Sequence, residues 1–216
     1  MPVTYPNESS EYRLARDILL KEEVALRGHV ERIAGLRRSL PDGGLTKENY
    51  NFVNLDGASV AVADLFSDDK DTLAIYSLMF KPDDRAACPM CVSLLDGLNG
   101  QAAHIGQRMD FAVVAAATPA QLTALAKDRG WDNLRILSAQ GNNYQADYHA
   151  ESADGAQMPM INIFRKSPQG ISHFWGSESF YADIDGHPRH LDQIWPLWNM
   201  FDLTPAGRGI DWYPSL

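Results

Sequence analysis

The sequence predicts an α/β fold, a mixed sheet flanked by helices, and three observations predict it. Two continuous apolar runs, Thr72–Phe80 and Asp110–Ala117, read as strands buried on both faces. Each is followed by a helical segment, which is the pattern of parallel βαβ crossovers. Met160–Phe164 and Ile171–Trp175, joined by the turn Ser167-Pro168-Gln169-Gly170, then add an antiparallel hairpin. Together they give a sheet with helices expected on both faces.

The elements follow in order. From Ser10 to Leu40, Leu26, Val30, Ile33, Leu36 and Leu40 recur at helical steps, with charged residues between them. Ser10 is the expected N-cap, and Pro41 with Gly43-Gly44 stops the run. About thirty residues is long for a globular helix, where roughly a dozen is usual. This helix is expected to lie across the domain or to meet a second copy in a homodimer. Tyr50–Leu55 and Ala58–Val62 flank Asp56-Gly57 as a hairpin, and Asp64-Leu65-Phe66 forms a helical turn. Val92–Met109 is helical, and a second helix opens at Thr118-Pro119 and runs to Arg129. Leu134–Ser138 is a short strand, and Asn142–Asp154 is too polar to assign. Leu191–Phe201 is a helical, aromatic-rich extension broken near Pro196. No linker or repeat divides the 216 residues. Residues 1–45 form an N-terminal helical extension and 46–216 the α/β body of one structural domain.

A composition of 45% hydrophobic and 22% charged residues is enough for a sizeable core. A net charge of −9 disfavours nucleic acid and anionic membrane surfaces as partners. The polar Met1–Glu11 segment and the lack of a spanning apolar run point to a cytoplasmic location. There are two cysteines, Cys88 and Cys91, in the motif Cys88-Pro89-Met90-Cys91. In a reducing compartment, so close a pair signals redox or metal chemistry and not a structural staple.

The motif stands between a buried strand and a helix start. There, unpaired backbone N–H groups and the helix dipole favour a thiolate, the reactive form of cysteine. Pro89 suits the first helical position, and one turn later Cys91 returns near Cys88 in a more buried place. Cys88 is therefore the expected attacking thiol and Cys91 the resolving one. Arg85, three residues upstream, is a candidate to tune the thiolate, although Asp83 and Asp84 oppose it.

The Cys-Pro-x-Cys motif resembles the active sites of glutaredoxins, and the body resembles thioredoxin-like oxidoreductases. NLDGASVAVADLF resembles the N-terminal hairpin of thioredoxin-like proteins related to peroxiredoxins. EYRLARDILLKEEVALR with LRRSLP, IYSLMF, CPMC, the block ending at Trp131 and FDLTPAGR resemble, over nearly the whole chain, one bacterial family. That family is domain of unknown function 899, described as predicted dithiol-disulfide oxidoreductases. The resemblance implies a thioredoxin-like fold and a redox dithiol acting on protein or small-thiol disulfides, with no bound organic cofactor and no metal. It also implies a cis-proline facing the dithiol. Met158-Pro159 is the candidate, and Met158 and Pro159 with Pro89 and Met90 would shape a substrate groove. Two stretches depart from the pattern, DGG after LRRSLP and VVAAATPA after the second strand.

Three other readings compete. A peroxidase needs a hydroxyl residue and a proline set upstream of the nucleophile. Lys81-Pro82-Asp83-Asp84-Arg85-Ala86-Ala87 supplies no hydroxyl and places the proline one residue too close. A zinc site would join Cys88 and Cys91 to His187 and His190, at an H-x-x-H spacing shorter than usual. A binding module would use Trp175, Trp195, Trp198 and Phe201 as a groove, where core filling is the simpler role. His173 is expected to pack across the second hairpin.

Overall fold

The computed structural model describes residues 3–183, 192–209 and 212–216, and in it the two apolar runs become adjacent parallel strands. The chain divides into the units Met1–Pro41 and Asp42–Leu216. The first is built on α1 (Ser10–Arg38), a helix with no buried residue. Ser9, not Ser10, is its N-cap: the Ser9 hydroxyl accepts from the Tyr12 N–H at 3.1 Å. Ser10 has already entered the helix.

In the second unit, seven strands form one sheet. They are β1 (Asn51–Asn54), β2 (Ser59–Ala61), β3 (Thr72–Ser77), β4 (Asp110–Ala115), β5 (Arg135–Ser138), β6 (Ile161–Ser167) and β7 (Gly170–Gly176). Their order across the sheet is β2-β1-β5-β4-β3-β6-β7. Strands β3, β4 and β5 run parallel, whereas β6 is antiparallel to β3 and β7 to β6. The first hairpin turns at Gly57 (φ 86°), where the Asn54 side chain accepts from the N–H groups of Asp56 and Ala58. It joins the sheet through β1 and β5. This is a thioredoxin-like fold with an N-terminal hairpin added on one edge.

Helices stand on both faces of the sheet, as expected, but unequally. α2 (Pro89–Ile105), α3 (Pro119–Arg129) and α5 (Pro196–Asp202) all contribute to one core with Tyr76, Val113 and Ile136. The reason is topological. Two right-handed crossovers that progress in the same direction, β3 to β4 to β5, must lay their helices on the same side. The other face is closed by short pieces: a 3-10 turn at Val62–Leu65 and α4 (Tyr144–Asp147), packed with Phe52, Leu73, Ile75 and Phe164.

Local chemistry explains the helix ends. Thr118 and Gln121 form a reciprocal capping box at the start of α3, and Gly130 (φ 64°, ψ 37°) ends it in the left-handed region. α2 buries Cys91, Val92, Leu94, Leu95 and Leu98, each large aliphatic contributing about 1.5–3 kcal/mol as an upper estimate. That packing fixes the orientation of the helix whose first turn carries the two cysteines.

Candidate functional site

β3 ends at Ser77, three residues before the apolar run does. The Ser77 N–H is held by the Met160 carbonyl at 2.7 Å and the Leu78 N–H by the Val114 carbonyl at 2.8 Å. Beyond them the chain leaves the sheet and loops back, and the Cys88 N–H donates to the Met79 carbonyl at 3.0 Å. This bond pins the nucleophile candidate to the C-terminal edge of the sheet. Cys88 is the N-cap residue of α2, with non-helical backbone angles (φ −57°, ψ 120°). Pro89 follows at the first position, where a missing N–H costs nothing. The first turn thus contains the whole motif.

The intervening loop, residues 81–87, is tied down by its own polar groups. Asp84 accepts from the Lys81 N–H at 2.7 Å and from Gln157 Nε2 at 3.0 Å. Gln121 Nε2 donates to the Pro82 carbonyl at 2.9 Å. Asp84 is therefore a fastener of the loop. Arg85 is exposed, and the principal causes that lower the Cys88 pKa are a thiol, a hydroxyl and backbone N–H groups.

Both cysteines are free thiols. Cys88 is half-buried and Cys91 is 1% exposed. The Cys88 pKa is lowered from 9.0 to about 5. The largest cause is a hydrogen bond from the Cys91 thiol. Burial opposes it, and the Cys91 and Met90 N–H groups and the Tyr213 hydroxyl assist. Every one of these donors is neutral. The Cys91 pKa is pushed well up, by its hydrogen bond to Cys88, by burial and by the Cys88 charge. The hydroxyl of Tyr76, on β3, reaches Cys91 from beneath and works the other way, as does the Met79 backbone. Tyr76 is 1% exposed, and burial holds it protonated.

Tyr213 was not found by sequence reasoning. It lies 125 residues from Cys88, with its hydroxyl 3.5 Å from the Cys88 sulfur. No local pattern could reveal it. The only trace is the aromatic Trp212-Tyr213 pair in a polar C-terminal stretch.

Met158 and Pro159 lie at the entrance to β6, the strand beside β3, and so at the same sheet edge as the motif. The Met158–Pro159 bond is trans, which corrects the cis expectation. The Met158 N–H donates to the Ala150 carbonyl at 2.9 Å, and the Met158 carbonyl accepts from the Met160 N–H at 3.0 Å. A tight turn around Pro159 thus engages the Met158 backbone, and its N–H is taken. Met90 is half-buried against the core that holds Cys91.

The aromatic residues considered for a groove fill that core instead. Trp198 and Trp195 are 1% and 8% exposed, and Trp175 and Phe201 pack against the same core. Trp195 Nε1 donates to the Ser93 hydroxyl at 3.2 Å, anchoring the C-terminal segment to α2. His173 is a packing residue, bonded to Asn162 at 2.9 Å and stacked on Tyr148. His187 and His190 lie outside the described residues. Among the described residues, no three metal-binding side chains are gathered, and no helix is long and apolar enough to cross a membrane.

Chemically, the arrangement offers one stabilised thiolate at the surface and one protonated thiol beneath it. Solved structures overlap the chain in part. A peroxiredoxin-like protein from Aquifex aeolicus is 16% identical, with TM-score 0.47, covering 63% of this chain and 75% of that one. Peroxidoxin BcpB from Mycobacterium tuberculosis is 15% identical, with TM-score 0.49 and coverage of 73% and 95%. A secreted M. tuberculosis disulfide oxidoreductase homologous to E. coli DsbE is 15% identical, with TM-score 0.43 and coverage of 69% and 96%. At these values the likeness carries no statement about chemistry. No curated protein matches the sequence. The family model for "Bacterial protein of unknown function (DUF899)" matches residues 2–216, and the chain belongs to that family.

Proposed function

We propose that the chain is a dithiol-disulfide oxidoreductase in which Cys88 attacks and Cys91 resolves. The observation that carries this reading is the asymmetry of the pair: a lowered, surface-facing thiol at a helix start and a raised, buried thiol one turn on. The substrate is a disulfide of a protein or small thiol, the setting is the reducing cytoplasm, and no organic cofactor is needed.

The exchange balances without further groups. The Cys88 thiolate attacks one sulfur of R–S–S–R′, forming Cys88–S–S–R and expelling R′–S⁻, which takes a proton from solvent. Cys91 loses its proton and attacks the Cys88 sulfur, expelling R–S⁻, which is protonated in turn. Two electrons pass to the substrate and a Cys88–Cys91 disulfide remains. A thiol reductant of the thioredoxin or glutathione class returns it to the dithiol.

Trapping tests the roles. Cys91→Ser leaves Cys88 able to attack a client disulfide but removes the group that releases it. Lysate of cells expressing this variant should contain covalent protein adducts that disappear with reductant. Cys88→Ser should give almost none, since a serine hydroxyl is not ionised at neutral pH. Equal trapping by both variants would show the roles to be misassigned. Adducts that require added peroxide would favour the peroxidase reading, and absence of adducts a binding module.

A further inference from the structure

We propose that Tyr213 is a catalytic residue of the dithiol, whose hydroxyl donates a hydrogen bond to the Cys88 sulfur and holds it as the attacking thiolate. The inference rests on the oxidoreductase reading above and adds a residue that the Cys-Pro-Met-Cys motif does not contain.

Three observations carry it. The first is contact with the reacting atom: Tyr213 Oη lies 3.5 Å from Cys88 Sγ, within reach for a hydrogen bond to sulfur. The second is location. Tyr213 is 56% exposed and Cys88 half-buried, so their contact is at the surface where a substrate sulfur must arrive. The third is that the preceding residue fixes the position. The Trp212 ring packs edge-to-face on Trp198 (5.5 Å) and Phe201 (4.9 Å) of α5. Trp198 is fully buried in the same core as Cys91. Arg208 lies over the Trp198 ring at 5.2 Å and grips Asp202 with two bonds of 2.9 Å. The aromatic bracket on α5 thus presents the Tyr213 hydroxyl to the sulfur.

Among the described residues, the titratable groups that act on the two sulfurs are Cys88 and Cys91 themselves, Tyr76 on β3 and Tyr213. Burial first, and then the bond to Cys88, pushes the Tyr213 hydroxyl up to about 12, so it keeps its proton at neutral pH. It therefore donates without transferring. When Cys88 forms its bond to the client sulfur, the electron pair of the broken S–S bond leaves on R′–S⁻. The Tyr213 O–H then no longer faces a Cys88 thiolate. The proton that neutralises R′–S⁻ comes from solvent.

The test uses the full-length reduced protein, with iodoacetamide as probe and the Cys88 adduct quantified by mass spectrometry from pH 4 to 9. Tyr213→Phe keeps the ring and removes only the donor. Its alkylation midpoint should rise by about half a pH unit or more; below the midpoint the thiolate then falls roughly threefold and, with the gain in intrinsic nucleophilicity, the rate about twofold. Trp212→Ala keeps the hydroxyl but loses its anchor, and should shift the same way. A Tyr213→Phe profile that superimposes on the wild type overturns the proposal, and an unshifted Trp212→Ala profile overturns the anchoring. These outcomes are separate from failure of the oxidoreductase reading. That failure would appear as a wild-type protein that exchanges no disulfide, whatever the Tyr213→Phe profile does.

Discussion

The Cys91 thiol is the largest single cause of the low Cys88 pKa, so Cys91→Ala should raise it although residue 91 does no chemistry in alkylation. The wild-type displacement, from 9.0 to about 5, is large enough to work through. At pH 7 it takes the thiolate from roughly 1% of Cys88 to roughly 99%, about a hundredfold gain in the reactive form. Intrinsic nucleophilicity falls with pKa at a Brønsted slope of about 0.4–0.5, so four units cost about 40- to 100-fold per thiolate. The two effects nearly cancel. The low pKa therefore does not make Cys88 a much faster attacker at neutrality. It makes attack independent of pH above about 6 and makes Cys88 a better leaving group when a reducing thiol attacks a mixed disulfide. Alkylation of the wild type should follow a single titration with its midpoint near 5. Its plateau rate should be some 40- to 100-fold below that of an ordinary thiolate. Cys91→Ala should move the midpoint upward and raise the plateau together. A midpoint that stays in place, or one that rises while the plateau does not, would refute the reasoning.

Two further outcomes follow from the structure. Between pH 5 and 9 the unfolded chain holds a proton at Cys88 that the folded chain has released, so stability from this group grows with pH and is lost as pH falls through about 5. Denaturant midpoints in reductant should therefore show wild type gaining on Cys88→Ala from pH 6 to pH 8, and a flat or closing gap would contradict the low pKa. Separately, α1 has no buried residue and exposes Leu14, Ile18, Val24, Leu26 and Leu36, which a second copy could cover. Light scattering should give twice the 24.0 kDa chain mass at micromolar concentration, and a monomer would remove the idea.

What the sequence made legible follows from range. The β3 and β4 strands announce themselves because both faces are buried and every residue in the runs but Asp110 is apolar or small. The position of Cys88 was legible because a strand end, a proline and a helix start are all local. α4 was not, because it is four residues long and buries Tyr144 and Gln145 in one turn, too short for any period to show. The pairing of β1 with β5 was equally hidden, since register between strands some eighty residues apart leaves no mark on either one. Asp84 looked like an opposing charge and is in fact a loop fastener, a role decided by Gln157 far along the chain. Tyr213 is the extreme case, a contact made across 125 residues through the packing of Trp212. Pro159 shows the opposite failure. There the expectation came from likeness to other proteins, and a local turn at Met158–Met160 replaced it.

The coupling between the two thiols also sets the order of events. While Cys88 is a thiolate, it accepts a hydrogen bond from the Cys91 thiol and repels a second negative charge beside it. Two of the three causes that raise the Cys91 pKa therefore come from Cys88 itself. Forming the mixed disulfide neutralises the Cys88 sulfur and removes both. Burial remains, now opposed by the Tyr76 hydroxyl and the Met79 backbone, which favour the Cys91 thiolate. Cys91 thus becomes easier to ionise only after Cys88 has captured a substrate, which is when it must attack. Premature ionisation of Cys91 would leave two thiolates one helical turn apart in a half-dry site, which Coulomb repulsion forbids. Among the described residues, the donors that act on the pair are thiol, hydroxyl and backbone N–H, and none is cationic. The timing should therefore be insensitive to ionic strength, unlike a thiolate held by a surface cation, whose stabilisation salt would screen.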